Sequence, residues 1–201
     1  MDFVRGGPRG TRPGILAGAF NPPTIAHLAL IDAAQPYVDQ IIAILPREFP
    51  HKRYHGATLD ERLEMLDRIA AGHPIDVAVA EHGLFIDIAR EARTVFGRPI
   101  DIAFLCGSDA AERILTWDYG HPGAIEEMLG EFRLLVADRE IPFQPGPDLA
   151  SRIDVLPIPA GVSSISSTQV RRRIAERQPW DHLVPPEIHD LVMSIYGRVL
   201  S

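Results

Sequence analysis

The feature that most restricts this chain is a rhythm. Short, mostly apolar runs alternate with longer stretches of helical period. The first run, Gly14 to Phe20, is broken by Asn21-Pro22-Pro23, and Thr24 then leads into a helical stretch from Ile25 to Ala34. The second, Asp39 to Leu45, ends at Pro46. Later runs lie at Asp76–Ala80, Ile100–Cys106, Phe132–Ala137 and Ile153–Leu156. Strands buried on both faces read as continuous apolar segments, and their alternation with helices predicts an α/β fold: a parallel sheet with crossover helices. The helical stretches run from Thr58, where Glu61 completes a capping-box spacing, and over about Phe85–Phe96, Ala110–Leu115, Ala124–Leu129, Thr168–Glu176 and Pro186–Tyr196. Right-handed crossovers place every strand-to-helix turn on one edge of such a sheet, where open α/β sheets bind ligands. The turns after Phe20, Pro46, Cys106 and Leu156 are therefore the candidate sites.

At 201 residues the chain fits one domain, expected over residues 14–201, with residues 1–13 as a flexible, Arg- and Gly-rich arm. The net charge of −7 disfavours a broad nucleic-acid surface but leaves room for a small anionic ligand held by a few local cations. Cys106 stands alone, so no intrachain disulfide or thiolate zinc cluster can form, and a cytoplasmic location is expected. The apolar run Ile41–Leu45 is far too short to cross a membrane. His51 and His55 lie four apart among Pro, Tyr and Gly, a poor setting for a helical metal pair, and no protein-bound metal is expected. There is no Walker loop and no Gly-x-Gly-x-x-Gly, so kinase and dehydrogenase readings lack their motif.

Two segments carry chemistry. Gly18 to His27 sits on a strand-turn-helix junction: Gly18 and Ala19 allow close approach of a ligand to the backbone, Pro22 and Pro23 fix the chain direction, and Thr24 is placed to cap the helix with His27 three residues on. The unpaired N–H groups and dipole of that helix end suit phosphate. Ser163 to Arg173 is a hydroxyl cluster entering a helix, with Ser166 and Gln169 at capping-box spacing and three arginines in the early turns. Cations there oppose the helix dipole, a conflict that a bound polyphosphate would resolve.

The first segment resembles the His-x-Gly-His signature of the nucleotidyltransferase superfamily, preceded by Gly-x-Phe-(Asp/Asn)-Pro; here it reads Thr-Ile-Ala-His, departing at the first His and the Gly. Ile165-Ser-Ser-Thr-x-x-Arg171 resembles the second signature of that superfamily. Across Gly14–Tyr196 the chain is most similar to the bacterial nicotinate mononucleotide adenylyltransferases, which implies a Rossmann-like sheet of nucleotidyltransferase type with helices on both faces. The resemblance implies transfer of AMP from ATP to nicotinate or nicotinamide mononucleotide, with Mg²⁺ carried on the ATP phosphates. It casts His27, Thr24, Lys52 and Arg171 as catalytic: His27 at the α-phosphate, Thr24 hydrogen-bonding phosphates, Lys52 reaching them from its loop, and Arg171 holding the β- and γ-phosphates. It assigns ATP contacts to Gly18, Ala19, Phe20, Asn21, Gly107, Asp109, Ile165, Ser166, Ser167 and Thr168, and acceptor contacts to Trp117 and Phe85. Arg62-Leu-Glu-Met65 and Leu183-Val-Pro185 match further segments. The Tyr-Thr pair that usually contacts the pyridine in that family is replaced by Gly83-Leu-Phe-Ile-Asp87, so the acceptor stays open. Phosphopantetheine or another phosphate is the alternative acceptor, and a nucleotide-binding sensor without catalysis is the reading of another class. Neither membrane nor nucleic-acid partners are expected, and assembly as a homo-oligomer is compatible with all of these readings.

Overall fold

The computed structural model describes residues 1–48, 56–117, 120–138 and 143–200. Among them are seven strands, β1 (Asp2–Arg5), β2 (Pro13–Ala17), β3 (Gln40–Pro46), β4 (Asp76–Ala80), β5 (Ala103–Gly107), β6 (Arg133–Ala137) and β7 (Ile153–Leu156). The helices are α1 (Ile25–Ala34), α2 (Leu59–Ala70), α3 (Phe85–Phe96), α4 (Ser108–Thr116), α5 (Ala124–Glu131), α6 (Ser167–Ala175) and α7 (His189–Tyr196). The strands form one sheet in the order β1-β4-β3-β2-β5-β6-β7. β2 to β7 are parallel to one another, and only the edge strand β1 runs antiparallel.

Alternate residues of the buried strands feed two cores, as the pleat requires. Leu16, Ala43, Leu45, Val77 and Leu105 face α1, α2, α6 and α7, where Ile31, Met65, Ile69, Val170 and Val192 are buried. Ile15, Ile42, Ile44, Ala78 and Phe104 face α3, α4 and α5 through Ile88, Ala92, Ala111 and Leu129. Helices therefore cover both faces. From β2 the chain winds outward to β3 and β4, then crosses to β5 on the other side and winds outward again. The order reverses between β2 and β5, and it is beyond the carboxyl ends of strands at such a reversal that open α/β sheets form their ligand crevice.

The expected arm is a correction. Asp2–Arg5 pairs with β4, and Met1 and Phe3 pack against the second core. The Gln40 amide then donates to Gly7 O at 2.7 Å, Arg9 Nη2 meets the Asp76 carboxylate at 2.6 Å, and Asp39 accepts from the N–H groups of Thr11 and Arg12. Four residues with two apolar side chains offer too little pattern to announce a strand, yet one unpaired edge is enough to take them up.

Candidate active site

The first signature leaves β2 at Gly18, whose N–H donates to Ile44 O at 3.1 Å. Phe20 then takes a left-handed conformation, φ 46°, unusual for a residue with a side chain and costing on the order of 1–2 kcal/mol. Burial of its ring in the first core, beside the His27 imidazole at 5.2 Å, offsets that cost. The Asn21–Pro22 peptide is cis. Arg62, 5% exposed on α2, spans from Thr58 O at 3.2 Å to Ala19 O at 3.1 Å and so ties that helix to the turn.

Thr24 caps α1, as its sequence position suggests, and the Thr24 N–H donates to His27 Nδ1 at 2.9 Å. Because a backbone N–H can only donate, Nδ1 must carry a lone pair, and the ring proton of the neutral imidazole resides on Nε2. Burial pushes His27 down to about 4, which keeps it neutral near pH 7. Thr24 itself is 0% exposed and its hydroxyl lies 2.8 Å from the same Nδ1. This corrects the expectation that Thr24 meets phosphate: its side chain is packed behind His27 and serves the imidazole.

The second signature begins at Ser166, whose hydroxyl accepts from the Gln169 N–H at 3.2 Å and caps α6. Ser167 Oγ donates to Pro22 O at 2.7 Å. A hydroxyl has one proton, so Ser167 fastens the two signatures together, a different task from the expected donation to the triphosphate. Arg171, half-buried, donates through Nη1 to Asn21 O and through Nη2 to Thr168 Oγ1 at 3.3 Å. Thr168 is exposed and keeps its own proton available for a ligand oxygen. Ile165 packs against the first core. A shallow depression lined by Ser164, Ser166, Thr168, Gln169 and Arg172 lies at the same helix end. Segments about 140 residues apart in the chain are thus joined by two side-chain-to-carbonyl bonds.

Across the crevice, Gly107 ends β5 and Asp109 lies exposed in the first turn of α4. Trp117 follows α4 and is 50% exposed. Phe85 differs from expectation: its ring stacks on Phe104 at 4.2 Å and meets Phe132 edge-on at 6.2 Å. Its partners in this structure are core aromatics. Lys52, with His51 and His55, lies outside the described residues. Cys106 is buried, and burial raises its thiol to about 12, consistent with a packing role.

The sequence reading did not single out Tyr196. Its hydroxyl donates to Asn21 Oδ1 at 2.5 Å. The available signal was a tyrosine on the apolar face of α7, beside Val192 and Ile195, since a buried phenol needs a partner.

The donors gathered here are hydroxyls, N–H groups and guanidinium, which suit anionic oxygen. Among the described residues no three His, Cys, Asp or Glu side chains are grouped to hold a metal ion, and no helix is long and apolar enough to cross a membrane.

Comparison with known proteins agrees with this fold. A family profile described as cytidylyltransferase-like matches residues 15–173. A Thermus thermophilus protein named a probable nicotinate-nucleotide adenylyltransferase is 30% identical over 183 residues, spanning 87% of this chain and 92% of that protein. One of the same name from Carboxydothermus hydrogenoformans is 26% identical over 200 residues, spanning 92% and 96%. Among solved structures, a Plasmodium falciparum nicotinic acid mononucleotide adenylyltransferase complexed with NaAD superposes with a TM-score of 0.73 at 17% identity, covering 96% of this chain and 100% of that one. At that identity the likeness speaks for the fold.

Proposed function

The chain belongs to the cytidylyltransferase-like family, on the branch of the nicotinate-nucleotide adenylyltransferases, and we propose that it transfers AMP from Mg-ATP to nicotinate mononucleotide, releasing pyrophosphate in NAD biosynthesis. The observation that carries this reading is the junction of the two signatures, where Arg171 and Ser167 donate to the carbonyls of Asn21 and Pro22 at the mouth of the β2/β5 crevice. It fastens a hydroxyl and a guanidinium to the turn that leads into His27, and hydroxyl, guanidinium and imidazole donors are the set a nucleoside triphosphate requires.

In the reaction a phosphate oxygen of the acceptor attacks the α-phosphorus of ATP in line. The new P–O bond forms as the bond to the β-phosphate oxygen breaks, and pyrophosphate departs with that electron pair. The attacking oxygen is already ionised near pH 7, so no general base is needed. The protein's contribution is to bring two polyanions together and to place fixed donors where charge builds. His27 supplies its Nε2–H to the α-phosphate as a neutral donor, since Nδ1 is occupied by Thr24. Arg171, aimed by its bond to Asn21 O, holds the departing phosphates, and Thr168 donates its hydroxyl proton to them. Mg²⁺ enters with ATP as part of the substrate, because the protein groups here favour phosphate oxygens over a cation. Gly107 and Asp109 flank the nucleoside, and the half-exposed Trp117 offers its face to the pyridine.

The test is pyrophosphate release from Mg-ATP with nicotinate mononucleotide, nicotinamide mononucleotide or phosphopantetheine in parallel. Release with nicotinate mononucleotide is expected. Release with phosphopantetheine alone would overturn the acceptor, and tight ATP binding without turnover would overturn the enzyme.

A further inference from the structure

We propose that Tyr196, on the last helix and outside both signatures, is a positioning residue for the nucleotide site, holding the Asn21 side chain so that the Asn21 carbonyl stays in place for Arg171. The inference rests on the reading that the crevice binds ATP, and it adds a part of the chain that neither signature includes.

Asn21 is a hub. Its Oδ1 accepts from the Tyr196 hydroxyl at 2.5 Å and from the Ala57 N–H at 3.4 Å, while its main-chain oxygen accepts from Arg171. Asn21 and Tyr196 are 4% and 6% exposed, so water competes little for these bonds. The α7 end, the lead-in to α2 and the second signature therefore meet on one residue of the first. The junction is tightly closed as well: at Gly56, φ +110°, a Cβ would lie 3.1 Å from Tyr196 Cε1 and 3.2 Å from Asn21 Oδ1. Burial raises the Tyr196 phenol far above its ordinary range, against the pull of Arg171 and Arg62, so it stays protonated and donates.

The ring and the hydroxyl of Tyr196 have separable roles. The ring belongs to the first core with Val192 and Ile195, and a phenylalanine would preserve that packing. The hydroxyl acts on Asn21. A purely structural tyrosine would lose stability on becoming phenylalanine without a specific effect on ATP.

The experiment compares Y196F, R171A, the double variant and V192A, the last a truncation on the same helix and in the same core, of a side chain that has no hydrogen bond to give Asn21. ATP affinity is read by calorimetry with magnesium present. Exchange of the Arg171 guanidinium protons with water is read by nuclear magnetic resonance in the ligand-free protein. We expect Y196F to weaken ATP by about tenfold, the upper factor for one net hydrogen bond, and to speed the Arg171 exchange. The double variant should be little weaker than R171A, because both act through Asn21. V192A, destabilised as much or more, should keep ATP affinity within about twofold. Unchanged Arg171 exchange in Y196F overturns the proposal whether or not ATP is the ligand. So do losses that multiply in the double variant, or a V192A defect equal to that of Y196F. A wild-type chain that binds no ATP while Y196F still frees Arg171 would overturn the proposed function and leave the positioning role supported.

Discussion

His27 should make this protein less stable as the pH falls below neutral, and its burial sets the sign and bounds the size. Burial takes the imidazole from 6.5 to about 4 in the folded chain, and the unfolded chain keeps the ordinary value. Between those two values the unfolded state binds a proton that the folded state refuses, so folding weakens as pH drops. The full stability is present above 6.5 and is lost progressively as the pH falls through the folded value of about 4. At about 1.4 kcal/mol per pH unit the loss is at most about 3–4 kcal/mol, and less to the degree that the half-buried ring keeps some contact with water. The assay is urea unfolding of the wild type and of His27→Gln at a series of pH values from about 8 to about 4. The acidities of Asp39, Glu61 and Glu91 are also displaced, but they titrate in both proteins and cancel in the difference. The difference curve should slope through the window between 6.5 and about 4. A flat difference would refute the claim that His27 is held neutral. The same reasoning reaches the chemistry: kcat should show no loss as pH rises through 6.5, whereas a working imidazolium would lose activity there.

Two substitutions probe the remaining roles. His27→Ala should lower kcat by on the order of 10²–10³, as for loss of one donor to a developing charge, with ATP affinity nearly unchanged; equal losses in steady-state kcat and in calorimetric affinity would sink that assignment. Arg171→Ala should act mainly on the KM for ATP, raising it about tenfold or more, and an unchanged KM would show that its bond to Asn21 O is purely architectural.

Much of this fold is legible in the sequence. The buried strands stand out because each is an apolar run between breakers: β4 and β7 have the expected limits, and β3 shifts by one residue. β5 starts at Ala103, not Ile100, because an apolar residue next to a strand looks the same in sequence as one inside it. α4 begins at Ser108, earlier than its apolar pattern, since Gly107 already supplies the extended residue before a helix. The two signatures were legible as candidate phosphate segments, and the structure brings them together. Hidden from sequence was which group each hydroxyl serves. Thr24 and Ser167 have the right chemistry for phosphate, but the decisive partners are His27 Nδ1 and the Pro22 carbonyl. Backbone carbonyls are identical at every residue and leave no mark in a sequence. Tyr196 escaped for a different reason: its partner, the Asn21 side-chain oxygen, lies 175 positions away.

The four residues of β1 cover an edge of the sheet that would otherwise be open. β4 is buried on both faces and would, without β1, be the margin of the sheet, offering a ladder of unpaired N–H and C=O groups beside the apolar sequence Val77-Ala-Val-Ala80. Such a margin is a template for the strand of a neighbouring molecule. β1 exchanges it for a shorter one with charged Asp2 and Arg5 at its ends, Asp2 exposed beside Arg47. A chain lacking residues 1–12 should therefore keep its catalytic crevice, which lies on the far side of β3, and become sticky. Its apparent mass in sedimentation should climb with concentration well above the full-length baseline, so that a leader dispensable for chemistry proves to be the protein's safeguard against itself.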